Sequence, residues 1–223
     1  MLKTLAFIHT SHVLIPTFTE LAKQILPGVE FFHVVDESLI RNTIREQRLT
    51  STTRRRVVTL IGSARDGGAD AVMLTCSSIG PSVETARQVY DFPIFRVDEA
   101  MAAKAVNMAR RIGVAATLRT TLEPTIELLR ATARNAMREI EVVPKLCDGA
   151  FTAVLAGDRD QHDRLVSAAL QELMHESEVV VLAQASMVSV LPMLKRNGAP
   201  VLTSPELALQ QVYDTLVEQS AAV

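Results

Sequence analysis

The chain alternates short apolar runs with longer stretches in which apolar residues recur every three or four positions. Runs such as Leu5-Ala6-Phe7-Ile8, Ala71-Val72-Met73-Leu74 and Val179-Val180-Val181-Leu182 are continuous rather than alternating. That is the pattern of strands covered on both faces in a parallel sheet. Strands are predicted near 4–8, 29–35, 70–75 and 93–96, then near 111–116, 139–144, 178–183 and 200–202. Helices are predicted over 16–26, 37–47, 53–67, 82–89 and 98–111, then over 120–136, 160–176, 187–196 and 205–219. Pro27-Gly28, Gly67-Gly68, Gly149 and Asn197-Gly198 punctuate these elements. Strands alternating with helices in this way indicate an α/β protein.

The pattern also repeats. Asp70-Ala71-Val72-Met73-Leu74-Thr75-Cys76-Ser77-Ser78-Ile79 aligns without gaps on Glu178-Val179-Val180-Val181-Leu182-Ala183-Gln184-Ala185-Ser186-Met187, 108 positions later. Phe92-Pro93-Ile94-Phe95, followed by Glu99, aligns on Ala199-Pro200-Val201-Leu202, followed by Glu206, at an offset of 107. Upstream, Leu5-Ala6-Phe7-Ile8-His9-Thr10 aligns on Ile112-Gly113-Val114-Ala115-Ala116-Thr117. Three matches in one order at nearly one offset indicate two α/β halves of like topology.

Composition supports this reading. Apolar residues make up 48% of the 223 positions and aromatics only 4%, with no Trp, so the core is built from aliphatic side chains. The net charge of −2 gives no electrostatic footprint for nucleic acid. Arg54-Arg55-Arg56 is expected to be the solvated start of a helix. No stretch approaches the roughly 20 apolar residues that span a bilayer, and the N-terminal apolar run is too short for a signal peptide. These features predict a cytoplasmic protein with no membrane partner, in which Cys76 and Cys147 stay reduced.

Ligands of open parallel sheets bind beyond the carboxyl ends of the strands. Cys76 and Gln184 occupy equivalent strand ends, and His9, Thr10 and Thr117 follow two others. Two halves that face each other would bring these side chains to a shared interlobe cleft. A helix predicted shortly after Cys76-Ser77-Ser78 would favour the thiolate and depress its pKa. The same N–H groups and Ser hydroxyls could bind a carboxylate. Thiolate and oriented donors together suit proton abstraction beside a carboxylate. The competing reading is that Cys76 is a small buried core residue, but so many hydroxyls around it favour a site.

These residues resemble the aspartate/glutamate/hydantoin racemase superfamily over nearly the whole chain. The resemblance rests on Leu74-Thr75-Cys76-Ser77-Ser78, its counterpart from Leu182 to Ser186, the Thr-rich segment Gly113 to Leu122, and the doubling itself. It implies two pseudo-symmetric Rossmann-like halves, each a parallel sheet flanked by helices. It further implies no metal, no cofactor, and a C-terminal helix that returns to the first half. The lobes are then 1–97 plus 206–223, and 98–205. In the two-base members a cysteine from each half flanks the substrate α-carbon. Cys76 falls on the first position, and Gln184 stands on the second.

Glutamine has no proton to exchange near neutral pH. Three readings therefore remain open. The first is an isomerase that uses Cys76 and another acid or base, with His9 and His12 as candidates. The second is a one-cysteine decarboxylase or other lyase, which protonates a single face. The third is a non-catalytic small-acid binding protein. In the first two the substrate is a small carboxylic or amino acid, and a homo-oligomer is left open. Expected substrate contacts are His9, Thr10, Ser77, Ser78, Thr117, Thr120, Thr121, Gln184 and Ser186. Thr120 and Thr121 could instead cap the helix that follows them. Cys147 is expected to be structural, and His162 and His175 to lie on the surface. No His/Cys cluster has metal-ligand spacing.

Overall fold

A computed structural model describes residues 3–194 and 198–218. The ends of the predicted 187–196 and 205–219 helices, and Asn197, lie outside the described residues. The chain divides into two compact units. One runs to Val97 and resumes at Pro205; the other is Asp98–Ser204.

In the first unit, β1 (Lys3–His9) lies between β2 (Val29–Val35) and β3 (Ala71–Leu74), and β4 (Ile94–Arg96) extends the sheet beside β3. All pairings are parallel, in the order β2-β1-β3-β4. Leu5 to His9 are fully buried, so β1 is covered on both faces. Its odd residues Leu5 and Phe7 pack with Phe18 and Ala22 of α1 (Ile15–Ile25) and with Ala208, Leu209 and Val212 of the C-terminal helix. Its even residues Ala6 and Ile8 pack with Leu39 of α2 (Glu37–Arg45), Val57 and Ile61 of α3 (Ser51–Asp66), and Val83 and Ala86 of α4 (Ser82–Ala86). Each such buried Leu, Ile or Phe contributes about 1.5–3 kcal/mol of transfer free energy.

The second unit repeats the plan. After α5 (Glu99–Met108), β5 (Arg111–Ala116) lies between β6 (Glu141–Leu146) and β7 (Val179–Leu182), and β8 (Val201–Leu202) extends the sheet, giving β6-β5-β7-β8. The register carries the repeat to the residue: Ile8 pairs with Leu74, and Ala115 with Leu182. Likewise Thr75 N–H donates to Ile8 C=O at 3.1 Å, and Ala183 N–H to Ala115 C=O at 3.0 Å. Cys76 and Gln184 are thereby equivalent in three dimensions as well as in sequence. The helices here are α6 (Arg119–Asn135), α7 (Ala150–Leu155) and α8 (Arg159–Glu176); α9 (Ser204–Tyr213), which returns to the first unit, runs on into a π-helical turn over Asp214–Glu218. Val166, Leu170 and Leu173 of α8 pack on Val180 and Leu182.

Several elements differ from their predicted form. The segment Ala185–Met193 is a 3-10 helix; Pro192 removes an amide, and its apolar residues form no single helical stripe. Helix α4 ends at Ala86, and α7 was not anticipated because Ala150–Leu155 is nearly all apolar. β6 begins two residues late and holds Pro144, which an edge strand tolerates.

Candidate active-site residues

At the end of β3, Thr75 continues the ladder and Cys76 opens a run of turns. Ile79 N–H donates to Cys76 C=O at 3.2 Å, Gly80 N–H to Ser77 C=O at 3.1 Å, and Val83 N–H to Gly80 C=O at 2.9 Å. Cys76 is half-buried, while Ser77 and Ser78 are buried. Burial pushes the Cys76 thiol above its ordinary pKa. Acting the other way are the Thr10 hydroxyl, the N–H groups of Ser78 and Ile79, and the Ser78 hydroxyl. The expected depressed pKa is therefore corrected: desolvation outweighs the donors. The expected helix dipole is also weak, since α4 is a five-residue helix that starts only at Ser82. A raised pKa lowers the thiolate population but leaves a stronger base once formed.

The second unit holds a parallel arrangement. Thr117 donates to Gln184 Oε1 from its N–H at 2.6 Å and from its hydroxyl at 3.0 Å. Thr10 holds Cys76 as Thr117 holds Gln184, so the threonine of each strand end secures the residue at the equivalent station. With Oε1 engaged, the Gln184 side chain has its NH2 group left as a donor. Helix α6 starts at Arg119, and its N-cap Leu118 supplies no side-chain hydrogen bond. Thr120 and Thr121 lie inside the first turn and do not cap it. Both are buried, and the Thr120 hydroxyl has no hydrogen-bond partner among the described residues. First-turn N–H groups beside an unpartnered buried hydroxyl can receive an anion. Ser186 is exposed on the 3-10 segment.

His9 does not fit the expected role of ligand contact or base. It is fully buried, stacks against Phe7 and meets Phe18 edge-on. Its Nδ1 lies 2.8 Å from Thr75 Oγ1 and its Nε2 2.8 Å from His33 Nδ1. The Thr75 hydroxyl donates to Ile8 C=O at 3.2 Å, which assigns the His9 proton to Nδ1. His9 Nε2 then accepts from His33 Nδ1–H, and His33 Nε2, 3.1 Å from Thr19 Oγ1, accepts from that hydroxyl. No ring nitrogen of His9 remains for a substrate. Burial, then the charge of His33, lowers its pKa to about 4. His12 is exposed and held to Glu37 at 2.6 Å.

Cys147 is buried in the core of the second unit, and burial raises its pKa to about 11; this inert thiol follows the end of β6. His162, expected on the surface, is buried and lies 2.7 Å from Asp163. Of the basic run, Arg56 binds Asp36 at 2.6 Å and Ser38 at 2.8 Å rather than remaining solvated. A recess of about 460 Å³ along α3, lined by Leu49, Ser51, Arg54, Arg55, Val58, Thr59 and Thr85, contains none of the candidate residues. Sequence reasoning missed Arg96, a buried charge at the end of β4, and the Thr75–His9–His33 chain. The signals were an arginine closing an apolar strand and a second histidine at the strand position beside Phe7.

The comparisons with known proteins bear on the family and the fold. Among curated proteins none matches in sequence. An aspartate racemase from Picrophilus torridus superposes with a TM-score of 0.72 at 15% identity, covering 96% of this chain and 94% of that one. Allantoin racemase from Klebsiella pneumoniae gives 0.67 at 19%, covering 98% and 89%. Glutamate racemase from Francisella tularensis, in complex with D-glutamate, gives 0.72 at 14%, covering 98% and 82%. These likenesses show a shared fold, and no helix among the described residues is long and apolar enough to cross a membrane. The family model for Asp/Glu/Hydantoin racemase matches residues 8–212. The chain thus belongs to the Asp/Glu/Hydantoin racemase family and so to the racemase-type isomerases.

Proposed function

We propose that the protein is a cofactor-independent isomerase that moves a proton at the α-carbon of a small carboxylic or amino acid, with Cys76 as the proton-transfer group. The observation that carries this reading is the set of donors on the Cys76 sulfur: the Thr10 hydroxyl, the Ser78 and Ile79 N–H groups and the Ser78 hydroxyl. A core cysteine needs no such shell, whereas a thiolate formed during turnover is stabilised by it. Abstraction leaves an enediolate whose charge needs oriented donors. Ser77 and Ser78, which follow Cys76 directly, are the groups we assign to the carboxylate. Within the second unit, Thr117, the first turn of α6 and the unpartnered buried Thr120 hydroxyl offer anion donors of the same kind, and the exposed Ser186 offers a weaker one. The D-glutamate complex of the Francisella tularensis racemase supports a small amino acid as the substrate class. A cytoplasmic setting suits a reactive thiol.

A second reading has one specific observation in its favour. The strand end equivalent to Cys76 carries Gln184, locked by Thr117 and without an exchangeable acid proton. A one-cysteine lyase needs a proton on only one face of the intermediate. For a substituted malonate, loss of carbon dioxide leaves an enediolate, and the Cys76 thiol then delivers its proton to the α-carbon. Incubation in deuterated water with a panel of amino acids, hydroxy acids and substituted malonates separates the two readings. Deuterium at the α-carbon with inversion supports the isomerase, and carbon dioxide release with label on one face supports the lyase. A panel that is bound but unchanged would sink both and leave a small-acid binding protein.

A further inference from the structure

The donors on Cys76 include two backbone N–H groups, whose aim is set by the turn run from Cys76 to Pro81. Gly80 closes that run, and Arg96 lies beside it. A Cβ on Gly80 would stand 2.8 Å from Arg96 Nε and 2.9 Å from both Cζ and Nη2, so the guanidinium meets Gly80 along one side of its plane. Arg96 is only 3% exposed. Its place on β4 is fixed by pairing with Leu74, two residues before Cys76. Its Nη1 donates to Glu84 Oε1 of α4 at 2.8 Å, and Arg87 at the end of α4 donates to Ile94 C=O of β4. The strand, the loop and the helix after it are therefore cross-braced, with Gly80 pressed against the brace.

We propose that Arg96 is a positioning residue for Cys76: pinned by Glu84 and seated against Gly80, it holds the Cys76–Gly80 turns so that the Ser78 and Ile79 N–H groups point at the sulfur. A buried arginine is a costly way to fill space, and apolar residues fill the neighbouring β4 positions Ile94 and Phe95 with less desolvation. A planar cation suits a rigid contact with a bare Cα. Glycine is required at position 80 because the close approach leaves no room for a side chain, not because of a left-handed backbone.

This inference rests on the reading of Cys76 as the reactive group, and its test does not depend on turnover. The pH profile of Cys76 alkylation by iodoacetamide reads the thiol directly, with Cys147 replaced by Ala to remove the other thiol. Gly80→Ala forces the guanidinium away, and Glu84→Ala removes, from a half-exposed site, the carboxylate that accepts from its Nη1. Losing one donor on the thiolate corresponds to about a tenfold fall in the thiolate fraction at neutral pH. Both variants are expected to displace the profile upward, Gly80→Ala by about that factor and Glu84→Ala by less. Val212→Ala, a core change on the other face of the sheet, is expected to lower the melting temperature without moving the profile. Should Gly80→Ala not fold, Glu84→Ala decides by the same readout. Profiles that coincide with the parent's, or an equal displacement in Val212→Ala, overturn the proposal. Loss of the catalytic reading would show instead as Cys76→Ser retaining full activity with the alkylation results intact.

Discussion

Acidification below about pH 6.5 is expected to destabilise this protein through His9. The ring is fully buried, with Nδ1 committed to Thr75 and Nε2 accepting from His33. Protonation would place a second N–H against the His33 N–H and leave a charge in an aromatic cluster. Its pKa is accordingly lowered from 6.5 to about 4, and burial lowers that of His33 as well. The unfolded chain thus binds the proton more readily than the folded one. Above the unfolded value both states are neutral and folding loses nothing. As the pH falls from about 6.5 toward 4, stability is lost, reaching at most about 3 kcal/mol below both values, and about 2 kcal/mol near pH 5. Urea denaturation at a series of pH values measures this for the parent and for His9→Gln, which keeps a donor and an acceptor but cannot charge. Carboxylate effects are common to both proteins, so the difference between the two curves isolates the histidine. The reasoning fails if the two curves run parallel from pH 7 to 5, or if the His9 ring of the folded protein titrates near 6.5 by NMR.

Three further outcomes follow from the geometry. Native-state alkylation is expected to label Cys76 and spare Cys147, whose pKa of about 11 and burial deny it thiolate and access; mass spectrometry of the peptides reads the site, and label on Cys147 would contradict it. Thr10→Val removes the hydroxyl that favours the thiolate, so the alkylation profile should move upward by about tenfold in thiolate fraction at neutral pH, with little change in melting temperature. In the second unit, Gly113→Ala would set its Cβ 2.7 Å from Ser177 Oγ and 3.2 Å from Leu173 and Val180. Overpacking there should cost about 1–3 kcal/mol by urea denaturation.

The sheets were legible because they depend on pattern. Continuous apolar runs marked β1, β3, β5 and β7, and the doubling aligned Cys76 with Gln184 before any coordinate did. The register of Ile8 with Leu74 and Ala115 with Leu182 follows the same offsets. What the pattern carried poorly were segments whose conformation depends on local chemistry. Pro192 turns an apolar stretch into a 3-10 helix, and the turns after Cys76 delay α4 to Ser82. The thiol's direction of shift was misread for a related reason. A helix N-terminus can be inferred from sequence, but desolvation depends on packing that sequence spacing does not show. His9 illustrates the same limit, since its strand-end position suggested a ligand contact until Thr75 and His33 were seen to occupy both nitrogens. Arg96 shows the converse, because its meaning comes from Gly80, sixteen positions earlier in the chain.

The central claim is that Cys76 transfers the proton. Its most direct measurement is the rate of deuterium incorporation at the α-carbon of a substrate found by the panel, for the parent and for Cys76→Ser. The serine keeps the shape and the hydrogen bonds of the thiol but is a far weaker acid, and a general acid or base of this kind contributes roughly a hundredfold to ten-thousandfold. The account predicts that incorporation by the parent falls by at least about a hundredfold in Cys76→Ser while the folded structure persists. Incorporation at the parent's rate by a folded Cys76→Ser protein would contradict it.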